Sequence, residues 1–483
     1  MSLMTGKQYR DSLRKMRPLV YIFGERVENP VDHPIVIPSQ NAIALTYDLA
    51  HDPQYEDLMT TTSLITGQKI NRFCNIYKDI DDMIKKVKMV RMIGQKTATC
   101  FQRCTTMDTA NALFIVTHEI DKKYGTEYHK RFINFLKEVQ DKDLDIGVAM
   151  TDVKGDRSLR PLQQRDPDMY LHVVEEKSDG IVVKGAKANQ TGSINCHYTF
   201  LSPTSRMREE EKDYALAFVV PTDAEGIVHI YGRQSGDTRK LEDGDIDIGN
   251  KQFGAQETVM VFDNVFIPWE HVFLYKENEF SGRLPSVFGA NHRQTYGGCK
   301  SGVSDTLIGA VALYAESNGI DKIPHIQQKL AEMVRYTETV YSVGLATALE
   351  GQKMPCGSYF VNMELGNVCK MNVADLPFEM IKRAVDICGG ILGTMPSEKE
   401  LKNPETRKYM EKYLKGAEGF SVEDRMRIIY LIQSLLFGTN SVGYIVESVH
   451  GAGPPEVQKA AVRYLTDFKA KKEMAKALAG IKK

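Results

Sequence analysis

A chain of 483 residues, with 62 Lys and Arg against 63 Asp and Glu and a net charge of −1, is too long for one core and carries no charge excess with which to grip nucleic acid. It is expected to fold as about three domains and to bury enough surface to need no metal or disulfide staple. Eight cysteines are too few for a disulfide framework, the N-terminus lacks the apolar core of a secretory signal and no apolar run reaches membrane-spanning length, so reducing cytoplasm is the expected compartment.

Residues 5–144 read as helical. Apolar residues recur at helical spacing over 81–94, and the pattern continues through 95–124, which places Cys100 and Cys104, four apart, on one helical face. Over 146–273 short β-rich runs alternate with Gly, Asp, Asn and Pro clusters, the pattern of a compact β domain whose strand over 261–270 ends at Pro268. Beyond Phe280, helices are expected over 300–315, 326–349, 359–371, 378–387, 422–437 and 457–478, with breaks at Gly389-Gly390 and residues 451–455. Three parts follow: helical 1–145, β 146–278 and helical 279–483.

Two clusters carry most of the chemistry. One holds Cys100 and Cys104; the other, His-Arg-Gln-Thr-Tyr-Gly-Gly-Cys-Lys, holds His292, Tyr296, Cys299 and Lys300 on one face of a helix. Neither saturates a metal, but together they offer three thiolates and an imidazole, enough for a tetrahedral zinc or one iron–sulfur cubane. The residues alone leave both open, along with plain core cysteines. Gly297 and Gly298 allow a backbone or cofactor to approach closely. Cys74, Cys196, Cys356, Cys369 and Cys388 stand singly and read as small buried hydrophobes. Glu257 opens an expected strand, and Glu447 precedes a glycine-rich helix end. In the β part, 149–157 and 190–195 are turn-like and rich in hydrogen-bonding groups. No dinucleotide-binding glycine pattern follows a strand, and no Walker sequence is present.

Taken together, Gly94-Gln-Lys-Thr-Ala-Thr-Cys-Phe-Gln-Arg-Cys, Met150-Thr-Asp-Val-Lys-Gly-Asp-Arg, Gln190-Thr-Gly-Ser-Ile-Asn, Tyr231-Gly-Arg-Gln-Ser, the His292 cluster and Ser448-Val-His-Gly-Ala-Gly resemble the 4-hydroxybutyryl-CoA dehydratase family, from residue 4 to 482. The β-part motifs are shared with flavin-dependent aromatic hydroxylases; the Cys/Cys and His/Cys clusters single out the dehydratases. The resemblance implies an α+β, acyl-CoA dehydrogenase-like subunit with an N-terminal helical domain, a middle β-barrel and a C-terminal helical bundle, assembled as a homotetramer. It implies FAD beside Met150, Thr151, Asp152, Gly155, Asp156, Arg157, Gln190, Thr191, Gly192, Ser193, Gly389 and Gly390, and a [4Fe–4S] cluster on Cys100, Cys104, His292 and Cys299. It implies dehydration of an acyl-CoA substrate, 4-hydroxybutyryl-CoA, to crotonyl-CoA by a radical route, with vinylacetyl-CoA isomerisation alongside. His292, Tyr296, Glu447, Glu257 and Lys300 are the implied catalytic residues. The chain departs from the family at Asn189, where a histidine precedes Gln-Thr-Gly-Ser in relatives. A flavin-dependent hydroxylase and a non-catalytic flavin and iron–sulfur or acyl-CoA-binding protein are the alternatives.

Overall fold

Helix α1 (Ile80–Thr97) begins where the Asp79 side chain accepts the Asp82 amide at 3.0 Å, and it buries the Met83, Val87, Val90 and Ile93 stripe that its apolar spacing demands. The computed structural model describes residues 3–233, 244–438 and 440–481. The single helix expected over 95–124 is broken. Ala98 (φ 51°) and Gln102 (φ 61°) both adopt the left-handed conformation, so the chain leaves α1, turns through Cys100 and enters helix α2 (Cys104–Tyr124) at Cys104 itself. Such residues cost about 1–3 kcal/mol each and persist only where the surroundings hold them.

The C-terminal part is carried by helices α3 (Phe280–Ser317), α4 (Pro324–Leu349), α5 (Met363–Cys388) and α6 (Val422–Leu436). Helix α3 runs unbroken through Gly297, Gly298 and Gly302 because they stand where it crosses its neighbours. A Cβ on Gly298 would lie 2.4 Å from the Val87 carbonyl oxygen, and one on Gly297 2.9 Å from Gly344 Cα. The partners at these glycines are α1 and α4, and the packing offsets a propensity cost of about 1 kcal/mol per glycine. Helix α5 is continuous where two helices are expected; it accommodates Pro377, and Tyr359–Phe360 pairs instead with Gln352–Lys353 as a small ladder. The helix expected over 457–478 is two, Pro455–Leu465 and Phe468–Leu478, because Asp467 caps the second by accepting the Ala470 amide at 2.9 Å.

The N-terminal stretch is not wholly helical. Strands β1 (Leu19–Ile22) and β2 (Glu25–Val27) join a sheet built from later segments. These are β3 (Ile146–Ala149), β4 (His172–Glu176), β5 (Gly180–Thr191), β6 (Tyr198–Leu201), β7 (Leu216–Pro221), β8 (Ile227–Tyr231), β9 (Glu257–Pro268) and β10 (Val272–Tyr275). They form two open sheets, ordered β2-β1-β8-β9-β5-β4 and β10-β7-β6-β3, where a barrel is expected. Ile181, Phe218, Met260 and Phe262 share the core between them. Asn189 (φ 55°) sits exposed in a bulge where the β5–β9 register shifts, and Asn264 (φ 56°) sits at a second shift; asparagine tolerates the left-handed backbone both require. Gln234 and Ser235 of the Tyr231 motif lie outside the described residues.

Among the described residues no helix is long and apolar enough to cross a membrane. Cys74, Cys196, Cys369 and Cys388 are buried as expected, whereas Cys356 is half-buried, 3.2 Å from Ser358 Oγ.

Candidate active site

The break between α1 and α2 brings Cys100 and Cys104 to the same pocket as α3. Thr99, Cys100, Cys104, His292, Tyr296, Cys299, Lys300 and Glu447 all line it. Two distant sequence clusters thus meet, although Cys100 lies in the turn and not on a helix. Burial pushes all three thiols upward: Cys104 is raised well above the ordinary thiol range by burial, then Cys100 and Cys299, Cys100 likewise by burial, then Glu447, and Cys299 rises to about 11 through burial and Glu447, against Lys300. Three buried thiols whose ionisation the surroundings disfavour form a donor set that a bound metal would satisfy. Among the described residues, no three His, Cys, Asp or Glu side chains are drawn tightly enough to clasp a single metal ion.

His292 is buried on α3, stacked on Phe288 with ring centroids 5.2 Å apart and edge-on to Tyr296 at 4.9 Å. Its Nδ1 lies 2.8 Å from Asp108 Oδ2, which leaves Nε2 as the ring nitrogen for the pocket. Tyr296 Oη reaches the chain at Gly451, where a Cβ would stand 2.0 Å from it. Only glycine fits there, and Gly451 is also the residue that ends the Glu447–His450 helical turn.

Behind the thiols lies a charged pair. Lys300 Nζ donates to Glu447 Oε2 at 2.8 Å and to the Gly443 carbonyl. That carbonyl belongs to a π-helical turn, Val442–Val446, a rare geometry that recurs at functional sites. Burial opposes the Lys300 charge, but Glu447, Cys299 and Cys100 hold the ammonium above the usual lysine range. Glu447 Oε1 is buried without a hydrogen-bond partner. Glu257, at the start of β9, accepts Thr191 Oγ1 at 2.7 Å; burial, then the nearby Glu447 charge, raise its carboxyl well above the ordinary range. Two carboxylates and a lysine therefore share one poorly solvated region, an arrangement suited to proton transfer.

The residues expected around a flavin divide. Gln190 donates to the Thr151 carbonyl at 3.3 Å, Thr191 holds Glu257, and a Cβ on Gly192 (φ 74°) would lie 2.3 Å from Gln102 Oε1, so this segment packs against the Cys100–Cys104 turn. Ser193 is enclosed by Thr258 at 2.5 Å and His229 at 3.2 Å. Asp152 is buried in an ion pair with Lys187 at 2.5 Å and accepts Thr204 Oγ1 at 2.9 Å, so both its oxygens are engaged within the β region. Gly155 has φ 48°, Asp156 caps the Ser158 amide at 3.0 Å, and Arg157 is exposed. Met150 is half-buried. Gly389 and Gly390 are exposed at the end of α5 and do not line the pocket.

Several residues at the site went unnoticed in the sequence. Asp108 stands four residues after Cys104, on the same face of α2, and Lys86 interrupts the apolar stripe of α1; each is a legible anomaly. Lys370 on α5 donates to the Ser448 and Val449 carbonyls, and burial, then Lys300 and Arg293, lower it to about 7. Arg293, lowered to about 10 by burial, holds the Ala452 carbonyl at 3.0 Å. Neither gave a signal, because both act through carbonyls of the segment that carries Glu447.

The chain matches the family described as 4-hydroxyphenylacetate 3-hydroxylase, its N-terminal part over residues 5–274 and its C-terminal part over 281–480. It is 51% identical, over 99% of its length and 100% of the relative's, to the 4-hydroxybutyryl-CoA dehydratase/vinylacetyl-CoA-Delta-isomerase of Clostridium aminobutyricum. Its fold superposes on the oxygen-tolerant archaeal 4-hydroxybutyryl-CoA dehydratase of N. maritimus with a TM-score of 0.97 at 48% identity, covering 100% of this chain and 96% of that one. The oxygenase component of 4-hydroxyphenylacetate 3-monooxygenase, solved with FAD and 4-hydroxyphenylacetate, shares the fold at a TM-score of 0.88 and 23% identity over 98% of both chains. With whole-length identity of this order, and the Cys/Cys and His/Cys clusters meeting in one pocket, the chain belongs to the 4-hydroxybutyryl-CoA dehydratase family.

Proposed function

We propose that this protein is a hydro-lyase that converts 4-hydroxybutyryl-CoA to crotonyl-CoA and isomerises vinylacetyl-CoA, using FAD and a [4Fe–4S] cluster. The observation that carries the reading is the convergence of Cys100, Cys104, His292 and Cys299 with the Lys300–Glu447 pair in one buried pocket, in a chain 51% identical to such an enzyme. Three thiols and an imidazole lining one pocket are a donor set that fits such a cluster. When bound, FAD supplies reversible one-electron oxidation and the cluster supplies a Lewis-acidic iron for the leaving hydroxyl.

The chain's own groups do the rest. His292 Nε2, when it is not held by the cluster, is the base at C2 of the acyl chain. Tyr296 and Glu447, which line the same pocket, move the C3 proton and protonate the leaving oxygen; Glu257 orients the acyl-CoA, and Lys300 holds the Glu447 charge. The Gln190–Ser193 segment and Met150–Thr151 provide the flavin's wall, supported by the approach of Gly192 to Gln102 in the Cys100–Cys104 turn and by the Gln190–Thr151 hydrogen bond. Asp152 contributes by holding Lys187. A homotetramer belongs to the same reading, supported by large apolar side chains left bare on the C-terminal helices, such as Tyr464 (88% exposed) and Leu478 (93% exposed).

Anaerobic incubation with 4-hydroxybutyryl-CoA and no added reductant is expected to yield crotonyl-CoA, followed by its absorbance and mass. Iron-free protein that turns over only with reduced flavin and dioxygen would instead identify an aromatic hydroxylase.

A further inference from the structure

Lys86 of α1 and Asp108 of α2 are both completely enclosed, and they pair at 2.8 Å. The same carboxylate reaches α3. Its Oδ2 lies 2.8 Å from His292 Nδ1 and accepts Thr295 Oγ1 at 2.9 Å, while Lys86 also donates to the Asn291 carbonyl at 2.9 Å. Three helices thus meet on one carboxylate directly behind the pocket. A buried ion pair is weak evidence for stability, since each ion must be stripped of water. One placed at the back of a ring that faces a pocket has a second use.

We infer that Asp108, neutralised by Lys86, is the positioning residue that fixes His292 with its proton on Nδ1 and its lone pair on Nε2, turned toward the pocket. An imidazole that donates Nδ1–H to a carboxylate has only Nε2 left to bind a metal or accept a proton. Lys86 prevents the carboxylate from competing for that proton, and Thr295, one turn along α3, holds its Oδ2 in line. The stacking of Phe288 and the edge contact of Tyr296 leave the ring little freedom except rotation about this tether. The bond also registers α2, which supplies Cys104, against α3, which supplies His292 and Cys299. The inference rests on the functional reading above.

The test compares anaerobically purified wild-type holoenzyme with Lys86→Met/Asp108→Asn and with Asp108→Glu. The double variant removes both charges together, so no lone ion is left buried. Turnover, KM, iron content and the histidine nitrogen coupling seen by pulsed EPR of the reduced cluster are measured on each. In the double variant kcat is expected to fall about 10–100-fold with KM unchanged, and the nitrogen coupling to shift or vanish. Asp108→Glu recovers part of both. Should the double variant fail to fold, Thr295→Val, which removes a single bond to the carboxylate, is expected to shift the coupling by a smaller amount. Wild-type turnover with an unaltered coupling in the double variant, or in Thr295→Val where that stands in for it, overturns the inference alone. Wild-type protein that takes up no iron overturns the functional reading and the inference with it.

Discussion

Glu447→Gln is expected to lower the rate of dehydration by about two to four orders of magnitude, the usual weight of one general acid or base, while FAD and iron contents stay at wild-type levels. The glutamine keeps the volume and can still accept from Lys300, which now lies 2.8 Å from Oε2. What it loses is the charge and the ability to exchange a proton. Oε1 is the buried, unpartnered oxygen, so it is the atom best placed to serve a substrate. The change also leaves Lys300 without its counter-ion, and breaking a buried pair on one side costs about 3–5 kcal/mol, so a fall in Tm should accompany the kinetic loss. Turnover within a factor of a few of wild type would remove Glu447 from the mechanism.

The second large effect is structural. A Cβ on Gly302 would stand 2.1 Å from the Arg91 carbonyl oxygen and 3.0 Å from the Gln95 amide, both main-chain atoms of α1 that no rotamer change can clear. Gly302→Ala must therefore push α1 away from α3. Overpacking of this kind costs about 1–3 kcal/mol, and here the displaced element is the one that ends in the Cys100 turn. Denaturation should begin at lower urea, and iron retention should fall with it. Gly309→Ala on the same helix is the control: nothing lies within 4 Å of its Cβ, the position is exposed, and alanine is expected to stabilise the helix by up to about 1 kcal/mol. Equal midpoints for the two variants would refute the close α1–α3 crossing.

The helices were legible where apolar spacing and caps agree, as over 81–94 and 422–437. They were misread where the deciding residues carry no signal. Ala98 and Gln102 turn left-handed although neither is glycine or asparagine, so the periodicity ran on through Cys100. The glycines of α3 were correctly expected to admit a close approach, but only the structure shows that it is the backbones of α1 and α4 that approach. Strand β1 was hidden because its partner, β8, lies some two hundred residues away and long-range pairing leaves no local trace; β2, three residues long, pairs with β1 alone. The donors that line the pocket were legible as two short clusters of reactive side chains. The charges behind them were less so, since Asp108 and Lys86 look ordinary until burial makes a charge on an apolar helix face anomalous.

Iron and acid-labile sulfide per chain, measured on anaerobically purified wild type and on Cys104→Ala, Cys299→Ala and Cys100→Ala, test the four-donor pocket most directly. About four of each per wild-type chain, falling sharply in every variant, is the expected result. One zinc per chain, or iron and sulfide that do not respond to loss of any of the three thiols, would contradict it.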